Sequence, residues 1–274
     1  MLEALQRFVA LLLNRVRVNQ IEHGVQNGMP VVVKRRRAGS GVVIWFGNRF
    51  LALARSGVCM FVRADEWMKW EAYCSALLYP ERPGIKIGPG ESVSVAEVHG
   101  MSLRQLVTRN EMDMKAFVAA ACELRRVHQI ECSYFRAAWS HGDLHLDNIL
   151  YDRAADRAIL VDFDTRHEFE IDQTWRHSDD LKVFLLELIS IDDLEWFQMA
   201  TAFVAEYRES SVLDELSRQL TVPRGFARIL WYTRTNCSSI RKTEPRLRCL
   251  RETIQQVAAV ARDQLETQLS NGTS

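Results

Sequence analysis

Residues His141 to Leu150 read HGDLHLDNIL, and Leu160-Val161-Asp162-Phe163-Asp164 follows at hairpin distance. Asp143 and Asn148 stand five apart, and Asp162 closes an apolar run after a short loop. That is a metal-nucleotide arrangement. Phosphoryl transfer needs an acceptor held in line and a cation that neutralises charge on the phosphates. Magnesium takes hard oxygen ligands, usually one or two carboxylates beside amide or phosphate oxygens. Asn148 and Asp162 can supply the protein's share. Asp143 is then free to accept the proton of the acceptor hydroxyl. The ordinary alternative for Asp143 is a turn carboxylate that caps backbone N–H groups.

These two stretches resemble the catalytic loop and the metal-binding loop of the protein-kinase-like superfamily. They are most similar to those of bacterial lipopolysaccharide core kinases and aminoglycoside/choline-type phosphotransferases. The resemblance covers residues 20–190. It implies an α+β fold of two lobes: a small antiparallel β-rich N-lobe over residues 1–99 and a mostly helical C-lobe over residues 100–274. It implies ATP and Mg2+ as cofactors. Under it, His141 packs beneath the loop and holds its backbone. His145 takes the place of a protein-kinase lysine and contacts the γ-phosphate or a substrate group. Asp147 reads as a solvated loop residue. Asp164 replaces a glycine; an exposed role is expected, with a place in the metal site as the alternative.

Gly142 stands where regulated protein kinases carry arginine, so control by an activation-loop phosphate is not expected. The segment from Asp162 to the next helix, read as opening at Asp179-Asp180-Leu181, is short and lacks Ala-Pro-Glu. Both features argue against a protein substrate. Asp180 resembles the helix aspartate that accepts hydrogen bonds from the catalytic-loop backbone. Otherwise it is an acid favoured near a helix N-terminus.

Several elements must position these residues. Asn27-Gly28 between β-rich runs marks a hairpin of residues 16–26 and 29–37. Its second arm ends at Lys34, which resembles the strand lysine that pairs the α- and β-phosphates. Lys34 also begins a basic run with Arg35, Arg36 and Arg37, and Arg36 lies on the same strand face. A helix is expected over Asp65–Tyr79, stopped by Pro80. Glu71 sits mid-helix among Trp67, Trp70, Cys74 and Leu77, where a carboxylate is costly unless paired. Lys34 is its natural partner, with Glu66 as an alternative to Glu71 on the same helix. The phosphate-covering loop departs from the family. Where a GxGxxG is expected, the chain offers His23-Gly24-Val25-Gln26-Asn27-Gly28.

Residues 84–99 read as two strands around Gly88-Pro89-Gly90. The second leads into Glu97, Val98 and His99, which the resemblance places at the adenine edge, with Gly100 at the bend between lobes. Helices are expected over 102–108 and 112–129. Ile149-Leu150 and Ala158–Val161 read as paired strands. The first sixteen residues show helical spacing; packing on the domain is the ordinary reading, and a membrane contact through Phe8 the sharper one.

The chain has 274 residues, 47% of them apolar, and zero formal net charge. Whole-molecule attraction to nucleic acid or membrane is therefore not expected. Six cysteines without metal-ligand spacing read as reduced thiols of a cytoplasmic protein. An acid near the start and no basic n-region argue against a signal peptide. Charge asymmetry appears late. Between 224 and 251, Arg224, Arg228, Arg234, Arg241, Lys242, Arg246, Arg248 and Arg251 face a single acid, Glu244. An anionic glycolipid or the inner face of the cytoplasmic membrane fits such a patch. The alternative is a helical face that pairs with the acidic stretch 187–215; nucleic acid is not expected as a partner.

The expected reaction is transfer of the ATP γ-phosphate to a hydroxyl of a non-protein acceptor, a sugar of lipopolysaccharide core or a similar glycolipid. Rival readings are a soluble aminoglycoside/choline-type kinase, an atypical Ser/Thr protein kinase, and a pseudokinase that binds a partner without chemistry.

Overall fold

The computed structural model describes residues 2–13, 18–82, 84–192 and 195–271. The Asn27-Gly28 turn folds β1 (Asn19–Gln26) back on β2 (Met29–Arg36), antiparallel, with Gln26 opposite Met29. α1 (Leu2–Leu13) precedes this hairpin. The expected continuation of both elements through Val16 lies outside the described residues. α2 (Ser40–Leu53), β3 (Val58–Met60), α3 (Ala64–Leu78), β4 (Lys86–Gly88) and β5 (Ser92–Ala96) follow. One antiparallel sheet forms in the order β1-β2-β5-β4. Lys34 on β2 stands opposite Val93, a fully buried residue of β5. α3 buries Trp67, Trp70, Glu71, Cys74 and Leu78, a helical spacing that gives one inward stripe.

The remainder is mostly helical. It begins with β6 (Met101–Ser102) and α4 (Leu103–Thr108). Ser102 and Gln105 form a reciprocal capping box at the start of α4. α5 (Met114–Val127), β7 (Glu131–Cys132) and β8 (Ala137–Ala138) lead to a 3-10 turn at Leu146–Asn148. Then come β9 (Ile149–Asp152), β10 (Arg157–Leu160), β11 (Thr165–His167), α6 (Gln173–Leu188), α7 (Trp196–Tyr207), α8 (Ser210–Gln219), α9 (Phe226–Arg234) and α10 (Ile240–Asn271). β9 and β10 pair as expected, with Ile149 opposite Leu160. Phe184 of α6 stacks on Phe203 of α7 at 4.1 Å, beside Phe117 of α5, at the centre of the helical core. The molecule is thus α+β, an antiparallel sheet followed by a helical assembly. No described helix is long and apolar enough to cross a membrane.

Two features differ from the sequence expectation. α6 starts at Gln173, not at Asp179, because Asp172 caps it by accepting from the backbone N–H groups of Thr174 and Trp175. Its first two turns carry Trp175 as their one large apolar residue and no apolar period, so only the later, leucine-rich turns announce a helix. The second is the pairing of β3 with β11, which joins residues 58–60 to the strand just after Asp164. α2 and β3 together form an arm between the Lys34 strand and the segment behind the Asp162 loop.

Candidate active site

Alternate residues of β2 face one way, so Val32, Lys34 and Arg36 share a side. Lys34 Nζ donates to Glu71 Oε1 at 2.5 Å and to Asp162 Oδ1 at 2.7 Å. Arg36, the rival on that face, is engaged elsewhere: its guanidinium lies 4.5 Å from the Trp67 ring and donates to the Phe61 carbonyl. Burial alone would lower the Lys34 pKa, but the carboxylates of Asp162 and Glu71 outweigh it and hold the ammonium above the ordinary lysine range. Glu71 is 2% exposed. Its second oxygen accepts from the Phe163 N–H at 3.0 Å, so one carboxylate ties the strand to the Asp162 loop.

Asp162 itself sits at φ +70°, the left-handed region that an L side chain enters at a cost of about 1–2 kcal/mol. The Lys34 bond and the Val161 N–H to Asn148 carbonyl bond (2.9 Å) hold it there. Glu71, Asp162 and Asp164 bring carboxylate oxygens within 4.8 Å of one another. Asp164 is half-buried and hydrogen-bonded, not exposed as expected. Trp67 Nε1 donates to one of its oxygens at 2.6 Å and Asn19 Nδ2 donates to the other. Burial and the neighbouring Asp162 charge push its pKa up to about 8. Crowded carboxylates of this kind suit a hard divalent cation, and the donor set therefore fits magnesium.

The catalytic-type loop is fixed from below. Asp180 of α6 accepts from the backbone N–H groups of His141 (2.7 Å) and Gly142 (2.8 Å), and His128 Nε2 donates to it at 3.1 Å. Burial would raise the Asp180 pKa, but the His128 hydrogen bond and the neighbouring His167 bring it down to about 2. His141 also holds the Val161 carbonyl at 3.1 Å, linking the two loops. Gly142 has φ +86°, and a Cβ there would stand 3.1 Å from the Arg166 backbone. No arginine fits that position. Asn148 donates through Nδ2 to the Asp143 carbonyl at 2.8 Å, so its oxygen is the atom left for a metal.

His145 Nε2 lies 2.8 Å from Asp143 Oδ1, and its Nδ1 lies 3.3 Å from Glu187 Oε1. Burial opposes its charge, yet Asp143 and Glu187 raise its pKa well above the usual histidine value. In turn, burial would raise Asp143, but the His145 imidazolium holds it below the usual carboxylate range. Glu187 accepts from the Leu146 N–H at 2.6 Å and from Arg104. Asp147 is exposed, as expected for a solvated loop residue.

A cleft of about 860 Å³ joins these groups. Lys34, Glu71, Asp143, His145, Asn148, Asp162 and Asp164 all line it. At the opposite end it is walled by Val32, Ala96, Glu97, Val98, Leu150 and Leu160. Glu97 and Val98 are thus brought to the cleft; His99 is exposed and not among the lining residues. Gly100 takes φ +138°, with a Cβ excluded by the Tyr151 carbonyl at 2.6 Å. Among the described residues, no glycine-rich loop covers the phosphate end. His23 and Gly24 lie inside β1, opposite Val32 and Val31, and His23 Nδ1 meets Glu97 Oε1 at 2.9 Å.

Sequence reasoning missed Asn19, Trp67, Arg104 and Glu187 as site residues. Glu187 was open to discovery. It stands among Leu185, Leu186 and Leu188, where a carboxylate must find partners, the same reasoning that singles out Glu71. Part of the basic region 224–251 is occupied within the fold. Arg234 and Lys182 meet Asp179, Lys242 meets Asp192, and Arg246 donates to the carbonyls of Ile189 and Ile191. Pairing with the acidic stretch 187–215 accounts for Lys242 through Asp192, while Arg234 pairs with Asp179 outside it, and a free anionic-ligand patch does not form from these three residues.

No protein-family model and no curated protein matches the chain. Among solved structures, an ethanolamine kinase of Plasmodium vivax aligns with 89% of this chain and 85% of its own, at 12% identity and a TM-score of 0.45. At that distance the functional reading rests on the geometry of this chain.

Proposed function

We propose that the chain is a Mg-ATP-dependent kinase that transfers the γ-phosphate to a hydroxyl of a non-protein acceptor. The observation that carries this is the meeting of Lys34 with both Glu71 and Asp162 in the cleft that also holds Asp143 and Asn148. A module without chemistry has no need to gather all five. Residues 1–99 and 100–274 serve as the lobes on either side.

In this reading the apolar end of the cleft takes adenine, with the Glu97–Val98 backbone at its edge. Lys34, steadied by Glu71, pairs the α- and β-phosphates. Asn148 and Asp162 hold magnesium, with Asp164 close enough to join. When bound, that ion supplies charge neutralisation on the phosphates. Asp143 orients the acceptor hydroxyl and accepts its proton. The His145 imidazolium keeps Asp143 ionised and faces the transferring group.

The acceptor is not a peptide. β11 is tied to β3 directly after Asp164, and α6 begins at Gln173, so no long docking segment intervenes. Among small acceptors we favour a sugar hydroxyl of a lipopolysaccharide-core type glycolipid. A soluble amino-alcohol or aminoglycoside is the rival, and both belong in one acceptor panel.

Thermal unfolding with ATP, with and without magnesium, tests the reading. At a hundredfold excess over Kd, binding to the native state adds about 2.7 kcal/mol. The magnesium-dependent part is expected to disappear in Asp162→Asn. Absence of any shift with Mg-ATP in the unaltered protein would remove the basis of the proposal.

A further inference from the structure

α2 carries its apolar side outward. Its sequence, SGVVIWFGNRFLAL, buries one side chain, Ile44. At 3.6 residues per turn, Val42, Trp45, Phe46, Arg49 and Leu53 share an arc of about 100° opposite Ile44. Val42 is 64% exposed, Phe46 63%, Leu53 63% and Trp45 46%. Large apolar side chains grouped on one exposed face mark an interaction surface. α9 lies against α2, and α1 against α9. Those helices expose Phe226, Leu5 and Phe8 in turn.

Charge says what covers the face. From Lys34 to Ala64 the chain has no Asp or Glu and six arginines. Lys34 turns into the cleft, Arg36 is buried against Trp67 and the Phe61 carbonyl, and Arg63 pairs with Asp65. Arg35, Arg37, Arg49 and Arg55 are exposed and form no ion pair among the described residues. Arg49 sits inside the apolar arc, its guanidinium 5.2 Å from the Trp45 ring. An arginine and an indole side by side, above aliphatic neighbours, match the boundary of a bilayer. There the rings sit at headgroup depth and the guanidinium reaches the phosphates. A second copy of the chain is a poor occupant, because a two-fold contact would press the same cationic rim against itself.

We propose that α2 docks on an anionic lipid surface. Val42, Trp45, Phe46 and Leu53 enter the headgroup boundary, and Arg37, Arg49 and Arg55 pair with lipid phosphates. The arm that bears them joins β2, which carries Lys34, to β3, which is paired with the strand behind Asp164. Docking would therefore hold the cleft next to the lipid. The surface does not depend on the reaction proposed above, and its test uses no nucleotide.

The test is co-sedimentation of the full chain with vesicles rich in phosphatidylglycerol and with vesicles of phosphatidylcholine alone. The unaltered protein is expected to bind the anionic vesicles at least about tenfold more tightly, given the attraction of several arginines to an anionic surface. Trp45→Ser with Phe46→Ser, and separately Arg49→Glu with Arg55→Glu, are expected to weaken that binding by about tenfold or more. Both pairs alter exposed side chains, so melting temperature and the Mg-ATP shift should be unchanged. Failure of the unaltered protein to bind anionic vesicles overturns the proposal. So does binding by both variants at the unaltered level. A dimer in sedimentation equilibrium that the serine variant dissolves assigns the face to a second copy and equally overturns it.

Discussion

Lys34 and Asp162 are separated by 128 positions, yet their side chains meet at 2.7 Å. Glu71 receives the same ammonium from a third element and holds the backbone of Phe163 with its other oxygen. One buried cation thus joins a strand, a helix and a loop. The contact matters to stability and to chemistry at once.

Lys34→Met keeps most of the side-chain volume and removes the charge. It leaves the Glu71 carboxylate buried and uncompensated by a cation, which costs about 3–5 kcal/mol when one partner of a buried pair is lost. The Phe163 N–H bond to Glu71 should hold the loss near the lower end. Urea unfolding checks the stability, and the Mg-ATP melting shift, expected to fall sharply, checks the site.

Glu187→Gln should act through His145 and the loop backbone. The glutamate supports the imidazolium and accepts from Leu146 N–H, and a hydrogen bond to a charged group contributes about 1.5–3 kcal/mol. The expected outcome is a kcat lowered by roughly tenfold to a hundredfold with little change in KM for ATP. The acid limb of the pH profile should also move upward, because His145 would be less charged and Asp143 less depressed. An unchanged acid limb would assign Glu187 a purely structural role.

His177 sets a pH dependence of stability remote from the cleft. It is buried, donates through Nε2 to the Trp139 carbonyl at 3.0 Å, and stacks on His128 at 3.8 Å. Burial, with the neighbouring His128, depresses its pKa to about 2. Below the unfolded value of about 6.5, the unfolded chain binds a proton that the native chain refuses. Stability is therefore full above that pH and is lost as pH falls toward 2, by about 2 kcal/mol at pH 5. Denaturant unfolding across this range should show the slope, and His177→Asn should flatten it.

Much of the architecture was legible because local chemistry and global fold agree. Asn27-Gly28 turns β1 into β2, and Glu71 and Lys34 each need the other to be buried. The catalytic-type loop was legible for a further reason: Asp143, Asn148 and Asp162 sit at fixed spacing on adjoining loops. What escaped depends on contacts between distant residues. Asn19 and Trp67 reach Asp164 from elements with no motif of their own. The start of α6 was hidden because the turns after Asp172 carry no apolar period. Residues 38–63 form the α2–β3 arm, but a consecutive run such as Val42-Val43-Ile44-Trp45-Phe46 fits buried strand or helix equally. Its outward face is set only by what surrounds it.

The most direct measurement is transfer of label from γ-labelled ATP, with magnesium, into glycolipid and soluble metabolite pools by the unaltered protein and by Asp143→Asn. Label is expected in a hydroxyl-bearing, non-protein pool with the unaltered protein. It should fall by at least about a hundredfold in the variant, whose Mg-ATP melting shift is retained. Transfer into no pool, or transfer by Asp143→Asn at the unaltered rate, would contradict the account.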